Sequence, residues 1–371
     1  MKTYCFKLYQ SKKNKCLHRT INVAGVVYNH CIALHRRYYR LYGKSLGLYR
    51  LQKHITKLKR RPKYAFWNTV GSQAIQNIAE RIDRAYRLFF RNRKSGIRTA
   101  PPSFQKVKKY KSFTLKQAGY RLLDGNKVQI QGKVYKYFKS RDIEGAIKTV
   151  TVKRDAIGDI YIYFACEVKE NLVLPRTGKS VGLDFGLKTF LVGSDGLTEE
   201  SPLFFRQVAK TIKRLNRALS RKKKGSNNRK RARIDLARAH QRIANRRKDY
   251  HFKLATLLTG TYAVICVEDL NLRAMQQLWG RKIGDLGHGQ FLGILAHQSA
   301  KVGAMLLRIP RFEPTSKTCS ACGQVLDELP LKVRMWVCPA CGTVHDRDLN
   351  AAKNIFRVGT STLGGEGVRP A

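Results

Sequence analysis

The hydrophobic and polar positions of the first half of the chain change period twice, and each change predicts a different kind of element. Residues 1–10 alternate as a β-strand does, whereas Val23–Lys59 and Tyr64–Arg93 carry apolar residues at helical spacing among many Arg and Lys. Strand-like alternation returns over Val128–Tyr137 and Thr149–Val168. We therefore expect one strand, a basic helical domain, and then a β-barrel or sandwich.

The second half of the chain has the pattern of an α/β domain. After the linker LPRTGKS come a strand VGLD, a turn FGLK and a strand TFLVGSDG. Two long helices are predicted next, the second over Arg229–Leu258, with the break GSNN between them. A strand ending at Glu268, a helix over Gly289–Val302, the strand MLLRIP and a helix from Asp348 follow. A β-hairpin ahead of helices favours an RNase H-like fold.

Composition adds a large excess of basic residues. The chain of 371 residues has 74 Lys and Arg against 24 Asp and Glu, a formal net charge of +50, and it is 43% hydrophobic. Such a chain can form two or three packed domains of roughly 100 to 200 residues each. Self-repulsion on this scale calls for a polyanionic partner, so we expect the protein to bind nucleic acid.

Two observations disfavour membranes. No apolar run reaches the roughly 18 residues that a membrane-spanning helix needs. The first residues, MKTYCFKLYQSKKNK, lack the apolar centre of a signal peptide. We therefore expect an intracellular protein that does not bind membranes.

The largest local excess of charge lies over residues 206–253, where 19 Lys or Arg stand against only two acids, Asp235 and Asp249. Apolar residues at helical spacing run through the same segment and predict a helical hairpin over 205–258. Although a solvated charged face would be the simplest explanation of one basic helix, a chain of +50 favours a face that binds a nucleic-acid backbone.

Four of the nine cysteines form two CxxC pairs separated by fifteen residues. Each pair is followed by Gly, which suits a tight knuckle, and four thiolates leave no position open for water. Two such knuckles predict one structural Zn²⁺ rather than disulfides or redox chemistry. The predicted zinc ligands are Cys319, Cys322, Cys338 and Cys341.

Three acids stand at the ends of predicted elements, and together they suggest a catalytic site. Asp184 ends the strand SVGLD, Glu268 ends the strand AVICVE, and Asp348 begins the helix DLNAA. Singly, each could be a helix cap or a solvent-facing acid. Asp346 is an alternative third acid, but only Asp348 heads the helix, where Asn350 could orient it.

Carboxylates are the ligands that hydrolysis of a phosphodiester requires when two hard cations about 4 Å apart must be held. We therefore expect Asp184, Glu268 and Asp348 to bind Mg²⁺, as two ions for which Mn²⁺ can substitute. One ion would activate the attacking water and the other would stabilise the leaving oxygen, so no protein nucleophile is needed.

These motifs occur in an order that closely resembles the TnpB (OrfB) proteins of insertion sequences, which are relatives of the compact type V CRISPR effectors. The specific part consists of VGLDFGLKTF, ICVEDLNL, SKTCSACG, WVCPACG and HDRDLNAAKNI. YNHCI, TAPPSF, SRKKKGS and GGEGVRP extend the likeness over nearly the whole chain. The resemblance implies that the three acids are catalytic and that the four cysteines bind zinc.

The resemblance also implies a multi-domain architecture of α/β and β parts. Residues 1–14 and 101–178 would form a wedge-like β-barrel domain, and 15–100 a helical recognition domain. Residues 179–316 and 343–371 would form an RNase H-like (RuvC) nuclease domain, interrupted by a zinc-ribbon module over 317–342 that binds the target nucleic acid.

The family's activity is RNA-guided DNA cleavage by metal-dependent phosphodiester hydrolysis beside a short flanking motif. The implied partners are a guide RNA from the transposon end, with one chain per RNA, and a double-stranded DNA target with its displaced strand. The implied location is the cytoplasm of a prokaryote, on the nucleoid when DNA is bound. Two alternatives remain, a non-catalytic DNA-binding accessory protein of transposition and a guide-free transposase.

Overall fold

The structure is a computed structural model, and it describes residues 1–168 and 178–361. Most of the predicted linker LPRTGKS and the whole GGEGVRP motif lie outside the described residues. The chain divides into two compact units, Met1–Glu170 and Asn171–Ala371. No helix in the described residues is long and apolar enough to cross a membrane.

The first unit combines basic helices with antiparallel strands. Its helices pack on its strands around one continuous core, in which Ile21, Trp67 and Phe164 are almost completely buried. Its elements are β1 (Lys2–Lys7), α1 (Asn14–Tyr42), α2 (Leu48–Lys59), a 3₁₀ helix (Pro62–Val70), α3 (Ser72–Lys94), a 3₁₀ turn (Val107–Lys109), β2 (Ser112–Leu115), β3 (Tyr120–Leu123), β4 (Lys127–Ile130), β5 (Lys133–Lys136), β6 (Ala146–Arg154) and β7 (Ile160–Glu167).

The strands of the first unit form two antiparallel sheets. One has four strands in the order β1-β7-β6-β2, and the other has three in the order β3-β4-β5. An isolated bridge pairs Leu8, just after β1, with Tyr137, just after β5. Closure of the two sheets into the expected β-barrel stays a prediction.

Two predicted elements of the first unit are divided in the structure. The strand expected over Val128–Tyr137 is the hairpin β4–β5, which turns at Gln131 and Gly132, both at positive φ. Positive φ at both central residues makes a turn that matches strand twist. The helix expected over Val23–Lys59 is interrupted after α1 by Gly43, which ends that helix in the left-handed conformation.

The second unit is built on a five-stranded mixed sheet. Its elements are β8 (Ser180–Asp184), β9 (Thr189–Gly193), β10 (Thr198–Glu200), α4 (Phe204–Ser220), α5 (Asn227–Thr261), β11 (Val264–Glu268), α6 (Leu272–Leu286), α7 (His288–Val302), β12 (Met305–Ile309), β13 (Met335–Val337), β14 (Val344–Asp346) and α8 (Arg347–Ser361). The strand order is β10-β9-β8-β11-β12. The first three strands are antiparallel, whereas β8, β11 and β12 run parallel.

The predicted helical hairpin is present as α4 and α5. The two helices share an apolar seam formed by Phe204, Ile212 and Ile243. The side chain of Ser226, in the predicted break, accepts a hydrogen bond from the Arg229 N–H at 3.1 Å and so caps α5. Helix α6 was not predicted, and its backbone is non-helical at Gly280.

Helix α8 lies close against β8 because Gly182 has no side chain. A Cβ at Gly182 would overlap the backbone of Ala352 and of Phe356 in α8. A similar approach occurs at Gly359, where a Cβ would overlap the Cys266 side chain of β11. These two contacts fix the helix that begins beside Asp348 against the two strands that end at Asp184 and Glu268.

We predict that Gly182→Ala lowers the free energy of unfolding by about 1 to 3 kcal/mol, since the methyl group would push α8 off the sheet. Gly260→Ala, at an exposed helical position of α5 with no atom within 4 Å of the added Cβ, is the matched control. The control should be neutral or slightly stabilising. Chemical denaturation of both variants checks this, and equal stabilities would contradict the close packing of α8.

Candidate active site and metal centre

Two of the three predicted acids lie at one edge of the sheet. Asp184 is the last residue of β8 and Glu268 the last of β11. These strands pair in parallel with Leu183 opposite Val267, so the two acids follow at neighbouring positions. Adjacent strands lie about 4.8 Å apart, which brings the two carboxylates side by side.

The third acid, Asp348, comes from the first turn of α8. The neighbouring Asp346 has a different task, because its Oδ1 accepts hydrogen bonds from the N–H groups of Asp348 at 3.0 Å and Leu349 at 2.9 Å. Asp346 therefore caps the helix, as an acid before a helix commonly does. This leaves the Asp348 carboxylate available to the site.

The surroundings of Asp184 and Glu268 disfavour the charged form of both carboxyl groups. Burial, followed by the nearby charges of Asp348 and Glu268, raises the pKa of Asp184 to about 7. Burial also raises the pKa of Glu268, and the charge of Asp269 adds to that effect. Both raised pKa values show that negative charge is disfavoured at these two carboxyl groups. A cation bound among these groups would relieve the repulsion and return Asp184 to its ionised form.

The three carboxylates are spread more widely than ligands of one small ion would be. Within residues 1–168 and 178–361, only the four predicted zinc cysteines bring at least three possible ligand atoms within 4.8 Å of one another. Carboxylate oxygens are the ligands that hard divalent cations such as Mg²⁺ prefer. The donor chemistry of these acids therefore suits divalent cations.

Arg334 is a component of the site that the sequence did not reveal. Its Nη1 lies 2.9 Å and 3.1 Å from the two carboxylate oxygens of Asp348. Arg334 precedes β13, between the two CxxC pairs, and its carbonyl accepts a hydrogen bond from the Arg347 N–H at 2.8 Å. The predicted zinc module thus supplies a positive charge to the carboxylate site.

The four predicted zinc ligands come together. The Sγ atoms of Cys319 and Cys341 are 3.7 Å apart, and those of Cys322 and Cys338 are 3.6 Å apart. Zn–S bonds of about 2.3 Å in a tetrahedron place the sulfur atoms about 3.8 Å apart. The distances and the four-thiol set therefore fit Zn²⁺ with no open position.

The groups around Cys341 favour the ionised form of that thiol. The Thr343 hydroxyl, 3.2 Å from the Cys341 Sγ, and the Thr343 backbone lower the pKa of Cys341 to about 6. Nε2 of the buried His345 lies 3.0 Å from the Cys319 Sγ, and the His345 ring packs against Trp336. His345 is thus a buried hydrogen-bonding neighbour of Cys319.

Two basic clefts accompany these sites in the second unit. One lies along α4 and is lined by Lys210, Lys213, Arg214, Arg217, Ala218 and Arg221. The other has a volume of about 690 Å³ and includes Arg334, so it opens beside Asp348. Lys188, Arg206 and Lys282 give it further positive charge, and its other lining residues are Leu187, Leu203, Phe205, Ala209 and Asp285.

Comparison with known proteins places this geometry in a family. The chain is 33% identical over 368 residues to a protein of Streptomyces pristinaespiralis named "Putative RNA-guided DNA endonuclease", with 95% of this chain and 88% of that protein covered. The chain belongs to the TnpB family. An Escherichia coli K12 TnpB relative named "Putative RNA-guided DNA endonuclease InsQ" is 28% identical, with 98% of this chain and 93% of that protein covered.

Two family models match separate parts of this TnpB-family chain. Residues 163–278, which include Asp184 and Glu268, match the model described as "Probable transposase" (OrfB_IS605). Residues 288–355, which include Asp348 and the four cysteines, match the model described as "Cas12f1-like, TNB domain". The expected family is therefore confirmed.

A solved structure shares the fold of this TnpB-family chain. It is described as the cryo-EM structure of the Cas12f1-sgRNA-target DNA complex, and its protein is 15% identical with a TM-score of 0.59. The match covers 97% of this chain and 84% of that one. The expected mixed α/β architecture with a four-cysteine cluster is thus confirmed at the level of the fold.

We predict that Cys338→Ser releases zinc and lowers the melting temperature of the second unit, because a structural zinc site contributes its binding free energy to folding. Cys5→Ser, an exposed cysteine of β1, is the control and should change neither quantity. Atomic emission spectroscopy gives the zinc content, and differential scanning calorimetry gives the melting temperature. Full zinc content in Cys338→Ser would contradict the four-thiol site.

Proposed function

We propose that this protein is a transposon-encoded RNA-guided DNA endonuclease that cleaves DNA by metal-dependent hydrolysis. The observation that carries the proposal is the group of three carboxylates, Asp184, Glu268 and Asp348, on a chain with a net charge of +50. The relatives named as RNA-guided DNA endonucleases and the fold shared with Cas12f1 support it.

In this proposal the sheet and helix α8 form a RuvC-like nuclease domain, over 179–316 and 343–371, that is interrupted by the zinc module over 317–342. The mixed five-stranded sheet with acids at the ends of two parallel strands supports that assignment. The wedge domain would cover 1–14 and 101–178, and the recognition domain would cover 15–100. The protein would act in the prokaryotic cytoplasm, on the nucleoid when DNA is bound.

The three carboxylates would hold two Mg²⁺ ions, for which Mn²⁺ can substitute. When bound, such ions supply an activated water and stabilise the leaving 3′ oxygen. Asp184 and Glu268 would hold their ligand oxygens in place because both end strands of one sheet. Asp348 would complete the set from the opposite side, with its helix packed on β8 at Gly182.

The DNA strand would reach these carboxylates through the cleft that contains Arg334. Three further cations, Lys188, Arg206 and Lys282, line that cleft and would contact phosphates. Its apolar side chains, including Leu187 and Phe205, would pack against sugars or bases. In the absence of a strand, Arg334 neutralises part of the charge of Asp348.

Guidance by RNA explains how a protein with this charge could be specific. Base pairing would read the target sequence, while Arg and Lys bind the phosphate backbone of the guide and of the heteroduplex. The basic face of α4 and α5 fits this role, because five cations line a single cleft along α4. One chain would bind one guide RNA, and the target would be double-stranded DNA with its displaced strand.

We predict that Asp184→Asn lowers the rate of cleavage by at least about 10³-fold, because it removes a charged metal ligand worth several kcal/mol of transition-state stabilisation. Guide RNA and target DNA should still bind, since the basic surfaces are unchanged. Asp235→Asn removes an exposed acid of α5 and should cleave normally. Single-turnover cleavage with Mg²⁺ and a filter-binding assay measure the two properties. Retained cleavage in Asp184→Asn would overturn the proposed role.

We also predict that replacing both Lys213 and Arg217 with Gln weakens RNA binding and flattens its salt dependence. The slope of log K against log salt concentration should fall in magnitude by about 1.4 to 1.8, for two lost phosphate contacts. Thr211→Gln, at an exposed position of the same helix, loses no charge and is the control. An unchanged slope in the double variant would show that α4 does not contact the backbone.

A further inference from the structure

Helix α8 carries two buried asparagines, Asn350 and Asn354. Asn350 and Asn354 are spaced by four residues, so they lie on one stripe of the helix. Each is only 1% exposed. Asn is a poor residue for a helix interior, and two in a helix of fifteen residues contradict local preference. Such a conflict indicates that tertiary contacts, and not helix propensity, account for these two residues.

The tertiary contacts are hydrogen bonds to the backbone beside Cys319, the first predicted zinc ligand. The Asn350 Nδ2 donates to the Thr318 carbonyl at 2.8 Å, and its Oδ1 accepts from the Ser320 N–H at 2.9 Å. The Asn354 Nδ2 donates to the carbonyls of Thr318 at 2.6 Å and Thr315 at 2.9 Å. Thr318 and Ser320 flank Cys319, so both amides bind the first knuckle directly.

The knuckle has its own internal bonds. The Cys319 N–H donates to the Gln324 carbonyl at 2.8 Å, and the Gly323 N–H donates to the Cys319 carbonyl at 2.9 Å. These bonds shape the turn, and the His345 Nε2 at 3.0 Å from the Cys319 Sγ joins it to the strand after the second knuckle. Ligation of the four thiols by zinc would strengthen this connection and so steady the backbone that the two amides bind.

A third bond joins the zinc module to the same helix. Arg334, located between the knuckles, donates to Asp348 itself. Asp348 lies two residues before Asn350 and six before Asn354. The first two turns of α8 are thus held between the sheet on one side, at Gly182, and the zinc module on the other.

We propose that Asn350 and Asn354 are positioning residues that couple the zinc knuckle to the catalytic metal site. They hold Asp348 at the distance from Asp184 and Glu268 that divalent cations require, and zinc bound by the four thiols strengthens that hold. This inference rests on the proposed function, because it takes Asp348 to be a ligand of the catalytic metal.

The test measures Mn²⁺ binding to the zinc-loaded full-length protein by electron paramagnetic resonance of the free ion. Asn354→Asp and Asn350→Asp keep the side-chain shape but replace the donating amide with an acceptor, and Asn354→Leu removes polarity without adding charge. We expect zinc content to be retained and the Mn²⁺ dissociation constant to rise by about 10- to 100-fold, as for other groups that orient metal ligands. Asn245→Asp, at an exposed position of α5, adds the same charge and should bind Mn²⁺ normally.

The dependence of the cleavage rate on Mn²⁺ concentration is a second measurement, and a purely structural role of the two asparagines would not change it. The single-turnover rate of the Asn variants should fall at low Mn²⁺ and recover at high Mn²⁺, with target affinity unchanged throughout. A rate that stays low at saturating Mn²⁺, or unchanged Mn²⁺ affinity in all three variants, would overturn the inference.

Wild-type protein provides a measurement that does not depend on the folding of a variant. Removal of zinc should increase hydrogen exchange in residues 347–354 of α8 while β8 and β11 stay protected. Equal protection of α8 with and without zinc would overturn the inference. Asp184→Ala distinguishes failure of the coupling from failure of the proposed function. If this variant still binds Mn²⁺, the proposed function itself is refuted. If it loses Mn²⁺ binding while the Asn variants keep theirs, only the coupling is refuted.

Discussion

Burial of Asp184 beside two other carboxylates is the constraint on which the second unit depends. Burial, followed by the nearby charges of Asp348 and Glu268, disfavours the ionised form of Asp184 and raises its pKa. Such a group persists only when the surrounding fold determines the position of each member. Parallel pairing of β8 and β11 fixes two of them, and the close packing of α8 at Gly182 fixes the third.

The zinc module is bonded to the helix that carries Asp348. Arg334 reaches Asp348 from between the two CxxC pairs, and two buried asparagines bind α8 to the first of them. The module thereby supports the carboxylates instead of forming an independent appendage. Elsewhere the excess of Lys and Arg makes basic clefts that would attract a polyanion to the second unit.

Sequence alone predicted the parts of the site whose pattern is local. Short apolar runs ending in an acid gave β8 and β11 with Asp184 and Glu268 at their ends, and two CxxC pairs gave the thiol cluster. Arg334 was not predictable, because one Arg among 74 basic residues has no pattern and its contact with Asp348 is tertiary. The hairpin β4–β5 was read as one strand since alternation continues through Gln131 and Gly132. Gly280 and Gly284 obscured the helical spacing of α6.

The central claim is that RNA directs this protein to DNA, and one measurement tests it most directly. The protein is co-expressed with its flanking genomic DNA and purified, the bound RNA is sequenced, and DNA matched to that RNA is incubated with the complex and Mg²⁺. We expect a single discrete RNA, and cleavage of the matched DNA but not of DNA with a scrambled target. Random RNA together with no cleavage of matched DNA would contradict it and favour a non-catalytic accessory protein or a guide-free transposase.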